Sequence, residues 1–351
     1  MPNFTGQLNT NKIVGALFNQ IISIRTFSDN IGEMYSSLVD RARVDGSMYG
    51  DTKLYTSLDI KGSKPWGADA EATNLLALNR PRAPKTQSIK IDVFRQAFIT
   101  IDNYLTKQAF TGEGSFSEFN SVVLSTLRDA KRIYDTTTYN TFIGTAKSSV
   151  QAAQDVTIDP AQSPSVAQGA AAALSKLLTR LKDNSRDYND YGFMRAYDPS
   201  RIQVIWNADY VSDIKKNDLP AIFHKEGLME KFDESNALPA RFFGDLKTAA
   251  GTADGTTVRT MVETEIGDKD YFPGDLLPKG TAYKANEAYV ADPKVIAIVT
   301  TADVVPFMSA FEVQTNFFNP KSLTENNYLT WGHNTLERLL DRPFVHIREK
   351  A

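Results

Sequence analysis

Apolar and polar residues alternate along an extended stretch of the chain, Thr86–Leu105. Ile89 and Ile91 fall on one side of a strand with this period, and the residues between them fall on the other. A shorter stretch, Lys53–Ile60, alternates in the same way. Together the two stretches predict a long two-stranded loop. Because an isolated hairpin is only marginally stable in water, this loop needs a surface to lie on, in the same subunit or the next.

A glycine break at residues 112–114 leads from the strand into one amphipathic helix, predicted over about Phe116–Ala146. Ser115 and Glu118 form a capping box at its start. The apolar residues recur at steps of three and four and make one stripe, consisting of Phe116, Phe119, Val123, Leu127, Ala130 and Tyr134. At ~1.5 Å per residue the helix is about 45 Å long. Thr136–Thr138 are poor helix formers, so we expect the end to fray or bend.

Neither element is expected to bury its apolar face within a compact monomer. An extended β-arm beside a long helix is the layout of a protein that completes its core with neighbouring copies. The pattern therefore favours a shell subunit over an enzyme. Nearer the N-terminus, the apolar run Ile13–Ile24 predicts either an arm that docks on a neighbour or an ordinary helix packed on its own core.

The middle of the chain alternates helices and strands. Ser163-Pro164 begins a second helix, with proline in the first turn where its missing donor costs nothing. Its predicted buried stripe is Val166, Ala170, Ala173, Leu174, Leu177, Leu178 and Leu181. Arg201–Trp206 predicts a strand, Asn207 a helix cap, and Ala221–Lys231 another short helix. This alternation indicates an α/β-like subdomain, followed by a stretch at 244–285 that is rich in glycine, proline and threonine.

The last part of the chain is rich in predicted strands. The apolar run Lys294–Thr300 fits a buried strand, and Ala310–Phe318 and Tyr328–Thr335 alternate. The tail, Arg342–Arg348, predicts a final strand that returns to close an earlier sheet. The chain as a whole is therefore predicted to have an α+β fold.

Composition narrows the possible functions. The chain has 351 residues, of which 42% are apolar and 11% aromatic, enough for a sizeable core in one or two domains. Its net charge of −3 disfavours specific recognition of nucleic acid, which usually requires a clearly basic protein. The absence of cysteine excludes disulfides and thiolate metal sites. No window is long and apolar enough for a transmembrane helix, so we expect no membrane partner.

No catalytic motif is found. Phosphate-binding loops, the G-x-S-x-G elbow and the H-E-x-x-H zinc motif are all absent. His224, His333 and His346 each stand alone, with no second histidine three or four residues away, and we interpret them as structural. The sequence predicts no catalytic residues, no cofactor-binding residues and no metal ligands.

Several charged and aromatic groups have more than one interpretation. The pairs Glu263/Glu265 and Asp268/Asp270 have a spacing that could serve calcium or general acid–base chemistry, although a solvated loop face is the simpler interpretation. The basic run Arg80–Lys85 could contact phosphates, form salt bridges between subunits or simply be solvated. The tryptophans are interpreted as core or interface anchors, at Trp66, Trp206 and Trp331.

The order of elements resembles the major capsid proteins of tailed bacteriophages, which have the Hong Kong 97-type capsid fold. The resemblance covers nearly the whole chain. It rests on Ile89–Ile101 leading to the helix at Ser115–Ala146, on Ile202–Asn207 before a helix, and on Arg342–Val345 at the end.

The resemblance implies a division of the chain. Residues 1–44 would be an N-terminal arm and 45–105 an extended β-loop. Residues 106–160, with the spine helix, and 286–351 would form a peripheral domain, and 161–285 an axial domain around five-fold and six-fold axes. Contacts in such rings are heterologous, so the β-arm would lie across a neighbouring subunit.

Some members of this group join a lysine of the extended loop to an asparagine of the peripheral domain. Lys61 and Lys64 are the candidate lysines here, and the candidate asparagines are Asn316, Asn319, Asn326 and Asn327. We expect no such cross-link in this chain. Because no long, charged helical leader is present, we also expect any scaffold to be a separate protein, or this chain to be the mature form.

The sequence therefore predicts a major capsid protein that self-assembles into pentamers and hexamers of an icosahedral phage head. This head would form in the host cytoplasm with a separate scaffolding protein and a portal, and enclose double-stranded DNA without reading its sequence. An encapsulin-type nanocompartment shell is the nearest alternative. A carboxylate-dependent hydrolase or a calcium-dependent binding protein is the alternative from another class.

Overall fold

The computed structural model describes residues 37–45, 52–63, 78, 80–102, 113–146, 156–159, 161, 166–211, 236–248, 287–291 and 294–350. Several predictions fall outside these residues. They include the arm before residue 37, the helix start at 163–164, the helix at 221–231 and most of the loop-rich stretch 244–285.

The described chain contains three α-helices of six or more residues and twelve strands. The helices are α1 (Ser37–Ala42), α2 (Glu113–Thr145) and α3 (Val166–Lys182). The strands are β1 (Arg43–Asp45), β2 (Thr52–Ser57), β3 (Lys85–Asp102), β4 (Val156–Ile158), β5 (Ile202–Asn207), β6 (Ala237–Leu238), β7 (Gly244–Thr248), β8 (Glu287–Ala291), β9 (Val295–Thr301), β10 (Phe307–Asn319), β11 (Thr324–Asn334) and β12 (Phe344–Glu349). The predicted α+β fold class is confirmed.

The first sheet has the strand order β1-β10-β11-β3-β2. Strand β2 pairs antiparallel with the beginning of β3, which confirms the predicted two-stranded loop. Strand β11 pairs antiparallel with the rest of β3, from Asn334 opposite Ile91 to Thr324 opposite Asp102. The hairpin β10–β11, from the far end of the sequence, thus extends the same sheet as the β-arm.

The second sheet has the order β4-β12-β9-β5-β6. Every residue of β9 is buried, as its continuous apolar run predicted. Strand β12 pairs antiparallel with β9 and parallel with β4, so the terminal strand does return to an earlier part of the chain. Helix α3 packs on this sheet through Leu174, Leu177 and Leu181, and Trp206 is fully buried in the same core.

Helix α2 joins the two sheets into one structure. Its middle packs on the first sheet, where Leu127 and Tyr134 contact Leu329 and Trp331. Its C-terminal part enters a second core with α1 and strand β9, and every residue from 134 to 146 is buried. The expectation that the helix frays or bends at Thr136–Thr138 is therefore wrong, because tertiary burial outweighs the weak helix propensity of threonine.

The sheets do not follow the predicted domain boundaries. The second sheet combines β5 and β6, which were assigned to the axial domain, with β4, β9 and β12, which were assigned to the peripheral domain. Residue 285 is therefore not a boundary between sheets, and the five-part division stays a prediction.

Gly144 lies where α2 approaches the backbone of the 3-10 helix Ala240–Phe242 most closely. A Cβ at this position would lie 1.8 Å from the carbonyl oxygen of Phe242. We expect Gly144→Ala to lower the free energy of unfolding by about 1–3 kcal/mol, the usual cost of overpacking a core. Urea denaturation of the purified subunit measures this effect.

Gly62→Ala is the matched control, because a Cβ there meets no atom within 4 Å. Equal stability of the two variants would contradict the close approach of α2 to the 3-10 helix.

Candidate assembly surfaces

One face of the first sheet carries exposed apolar side chains. Alternate residues of β3, β11 and β10 point to this face, and Phe98 lies opposite Tyr328, with ring centroids 6.4 Å apart. Phe98 is 71% exposed, Phe317 63% and Val313 43%. We call this surface, defined by Phe98, Val313, Phe317 and Tyr328, the open face. Several large apolar side chains presented together are typical of an interaction site.

The opposite face of the same sheet is covered by α2. Leu127 and Tyr134 cover Leu329 and Trp331 there, and Ala97 and Ile99 are packed against this cluster. Lys131 of α2 binds Glu312 of β10, with 2.8 Å between Nζ and Oε2. The first sheet therefore has apolar residues on both of its faces, and helix α2 covers one of these two faces.

The β-arm is fixed to its own chain by the buried carboxylate of Asp59, just beyond β2. Its Oδ1 accepts hydrogen bonds from the backbone N–H groups of Ile60 (2.9 Å) and Met194 (3.0 Å). Its Oδ2 accepts from the guanidinium groups of Arg82 and Arg186. The Met194 N–H, followed by the Arg186 side chain, holds the pKa of Asp59 well below its usual range. Asp59 is therefore a charged anchor between the arm and residues 183–197.

Other contacts strengthen the same junction. The ammonium group of Lys85 lies 4.9 Å from the ring centroid of Tyr191 and 5.6 Å from that of Phe193. Arg195 forms an ion pair with Asp341, 3.1 Å apart, and donates to the carbonyl of Leu58. Sequence reasoning did not single out Asp59, Arg186 or Arg195, because no local pattern indicates partners this distant in the chain.

The basic run Arg80–Lys85 also makes contacts within its own chain. Arg82 and Lys85 contact their own chain, at Asp59 and at Tyr191 and Phe193. The side chain of Arg82 nevertheless stays 61% exposed, so an inter-subunit salt bridge, a phosphate contact and simple solvation all stay predictions for this run. The arm also exposes three aliphatic side chains, those of Leu54, Leu58 and Ile60.

A second carboxylate, that of Asp135 in α2, is buried, and nearby cations compensate its negative charge poorly. Its Oδ2 lies 3.3 Å from Arg43 and 4.0 Å from Lys131. Arg43 is closer to Asp40, at 2.9 Å, and Lys131 is closer to Glu312, at 2.8 Å. Burial therefore raises the pKa of Asp135 to about 6, although the two cations oppose the shift. This residue was also not identified from the sequence.

Two histidines are structural, as predicted. His333 is buried between Tyr134, whose hydroxyl lies 3.1 Å from Nε2, and the carbonyl of Asn334, 2.8 Å from Nδ1. Burial lowers the pKa of His333 to about 4 and that of His346 to about 3, so both rings are neutral at physiological pH. His224 lies outside the described residues.

The tryptophans Trp206 and Trp331 are core anchors as predicted, and Trp66 lies outside the described residues. Glu263, Glu265, Asp268 and Asp270 lie outside them as well. Within the described part, no group of three or more His, Cys, Asp or Glu side chains could hold a metal ion. No helix of the described residues is long and apolar enough to cross a membrane.

The candidate cross-linking residues are spread over the structure. Lys61 donates to the carbonyl of Arg80, near the anchor of the arm, and Lys64 is outside the described residues. Asn316 donates to Glu325, Asn319 accepts from the Lys321 N–H, Asn326 accepts from Thr100, and Asn327 is buried. That no cross-link forms stays a prediction.

Solved structures with this fold come from phage capsids. A chain from the capsid structure of Staphylococcus phage Andhra superposes with a TM-score of 0.63 at 11% identity, covering 91% of this chain and 84% of that chain. A chain from the structure of the head fiber and inner core protein gp22 of native bacteriophage P68 gives 0.56 at 11% identity, covering 87% and 83%. The fold is therefore that of the Hong Kong 97-type phage capsid proteins.

The profile of the Phi29-like phage major capsid proteins matches residues 4–334, so the chain belongs to that family. No curated protein matches the chain. The family and its structural relatives are structural proteins, not enzymes, and the chain is accordingly a phage major capsid protein, a component of the virion that self-assembles into a shell.

We expect Asp135→Asn to stabilise the subunit at pH 7.5 by an amount on the order of 2 kcal/mol. The raised pKa means that the folded protein holds this proton more tightly than the unfolded chain. Stability from the protonated form is therefore lost as the pH rises through about 6, and asparagine, which stays neutral, avoids that loss. Denaturation at pH 7.5 and 4.5 should show a smaller gain at the lower pH; an equal or negative effect at pH 7.5 would contradict the account.

We expect Asp59→Asn to have the opposite effect and to lower the melting temperature at pH 7.5. The lowered pKa of Asp59 shows that its charge stabilises the folded state, a contribution that is present above the unfolded pKa and lost at acid pH. The substitution keeps the shape of the side chain and leaves two guanidinium groups without a carboxylate. Unchanged melting and unchanged proteolysis of residues 58–84 would argue against the anchor.

Proposed function

We propose that this chain forms the pentamers and hexamers of an icosahedral phage head that encloses double-stranded DNA. The observation that carries the proposal is the open face of the first sheet. Family membership explains why so many apolar side chains remain exposed in a single copy: the neighbouring copies of a shell supply the missing cover.

Ring contacts require two different surfaces on each copy, because one patch meets another patch of the next subunit. The chain presents two such patches. The arm carries Leu54, Leu58 and Ile60, and the open face carries Phe98 and Phe317. The anchor at Asp59 fixes the arm relative to the rest of the subunit, which would keep the distance between the two patches constant from copy to copy.

The net charge of the chain is compatible with DNA as the proposed cargo. A net charge of −3 on 351 residues suits a wall that surrounds DNA without gripping it or reading its sequence. We further propose that assembly takes place in the host cytoplasm with a separate scaffolding protein and a portal. The encapsulin alternative shares the fold, but the family match favours a phage head over a shell for a cargo enzyme.

Electron microscopy of the purified chain over a concentration series, with and without its scaffold, tests the ring arrangement. Closed shells with five-fold and six-fold rings would support the proposal, whereas filaments or a stable small oligomer would contradict it. Nuclease digestion of particles from infected cells tests the cargo, since enclosed double-stranded DNA should survive the digestion.

We expect the double variant Phe98→Ser, Phe317→Ser to fold but to assemble poorly. Burying one phenylalanine contributes roughly 1.5–3 kcal/mol, so each loss should raise the critical concentration for assembly at least about tenfold. Light scattering measures assembly, and circular dichroism checks that the monomer is folded. The matched control Phe98→Leu, Phe317→Leu keeps apolar surface and should assemble nearly normally; normal assembly of the serine variant would refute a role for the open face.

A further inference from the structure

The outer edge of β10 has little described pairing. Strand β1 pairs with it only from Phe307 to Ser309, while β11 pairs with its other edge up to Asn319. Within the described part of the chain, no strand therefore pairs with the outer edge from residue 310 to 319. At ~3.3 Å per residue this edge is about 33 Å long.

This edge lacks the features by which natural proteins prevent strand addition. Exposed edges are usually blunted by charges, prolines or bulges. Residues Val313–Asn319 contain no charged residue and no proline, and the one irregularity of the pairing with β11 lies earlier, between Ser309 and Glu312. By contrast, β3 carries Asp92, Arg95 and Asp102 along its own part of this sheet.

The exposed side chains of β10 also favour the addition of a partner strand at this edge. Every residue from 312 to 318 is exposed, including Phe317 on the open face and Phe318 on the face of α2. A strand added to the edge would bring further side chains next to both faces of β10, so both phenylalanines could pack against it.

We propose that β10 pairs antiparallel with β10 of a second copy of this chain, across a two-fold axis at Val313–Asn319. A two-fold contact joins the same surface on both copies, so the surface has to be compatible with itself. An uncharged edge meets this condition, because no like charges come face to face. The proposal rests on the proposed function, and it adds a contact of another kind: rings are closed by heterologous contacts, and a two-fold contact can join one ring to the next.

A two-fold axis perpendicular to an antiparallel pair makes one residue face its own copy directly. Opposed Cα atoms are then about 4.5–5.5 Å apart, within reach of a disulfide, whereas one position to either side the identical residues are too distant. The chain contains no cysteine, so a single introduced cysteine has no competing thiol.

The experiment is a scan of single-cysteine variants at every position from 313 to 319, including Gln314→Cys, Thr315→Cys and Asn316→Cys. Each variant is assembled into shells, oxidised, and analysed on a non-reducing gel. We expect covalent dimers at one position and at neither of its neighbours. Thr179→Cys, on the exposed side of α3, is the control for random collisions and should give none.

The outcomes separate this proposal from the proposed function. Normal shells in which no position cross-links, or in which several adjacent positions cross-link equally, would overturn the two-fold pairing while the capsid role stands. A chain that forms no shells under any condition and no cross-link would overturn both. Amide hydrogen exchange gives a second test. The N–H groups of residues 312–319 that point to the outer edge, which alternate with those bonded to β11, should exchange rapidly in monomers and slowly in shells. Slow exchange of these outer-edge N–H groups already in the monomer would show that another segment of the same chain covers the edge, and would overturn the proposal.

Discussion

The structure depends on one helix, α2, whose side chains belong to two different hydrophobic cores. Helix α2 covers one face of the first sheet through Leu127 and Tyr134, and its next turns fill the core shared with α1 and β9. One helix can cover only one face of a sheet. The other face, with Phe98 and Phe317, stays exposed in the single copy. Its apolar surface can therefore be buried when copies assemble. The hydrophobic effect thus stabilises the subunit through one face of the sheet and, in our proposal, the shell through the other.

Charges act at the junctions between elements rather than at a reactive centre. Asp59 receives four hydrogen bonds and ties the β-arm to residues 183–197, so its charge is stabilised. Asp135 sits between cations that are closer to other carboxylates, so its charge is disfavoured. His333 and His346 are kept neutral by burial. These are the positions at which the stability of the subunit should depend on pH.

Local patterns predicted the elements well, because period and burial are linked within a strand or helix. The long strand β3, the long helix α2, the stripe of α3 and the buried run of β9 could all be predicted from the sequence. The patterns could not predict partners that are distant in the chain. Neither the pairing of β11 with β3 nor the contact of Arg186 with Asp59 has a local signal, and the burial that keeps Thr136–Thr138 helical comes from other elements. For the open face, the sequence predicted only that one copy has more apolar residues than it can bury. It did not identify the residues that form this face.

The central claim is that copies of the chain cover the open face when they assemble. Hydroxyl-radical footprinting of Phe98 and Phe317, in monomers and in closed shells of the same preparation, measures this directly. The account predicts rapid oxidation of both rings in the monomer and strong protection in the shell, with no change at an exposed reference residue outside the sheet. Equal oxidation of the two rings in monomers and shells would contradict it.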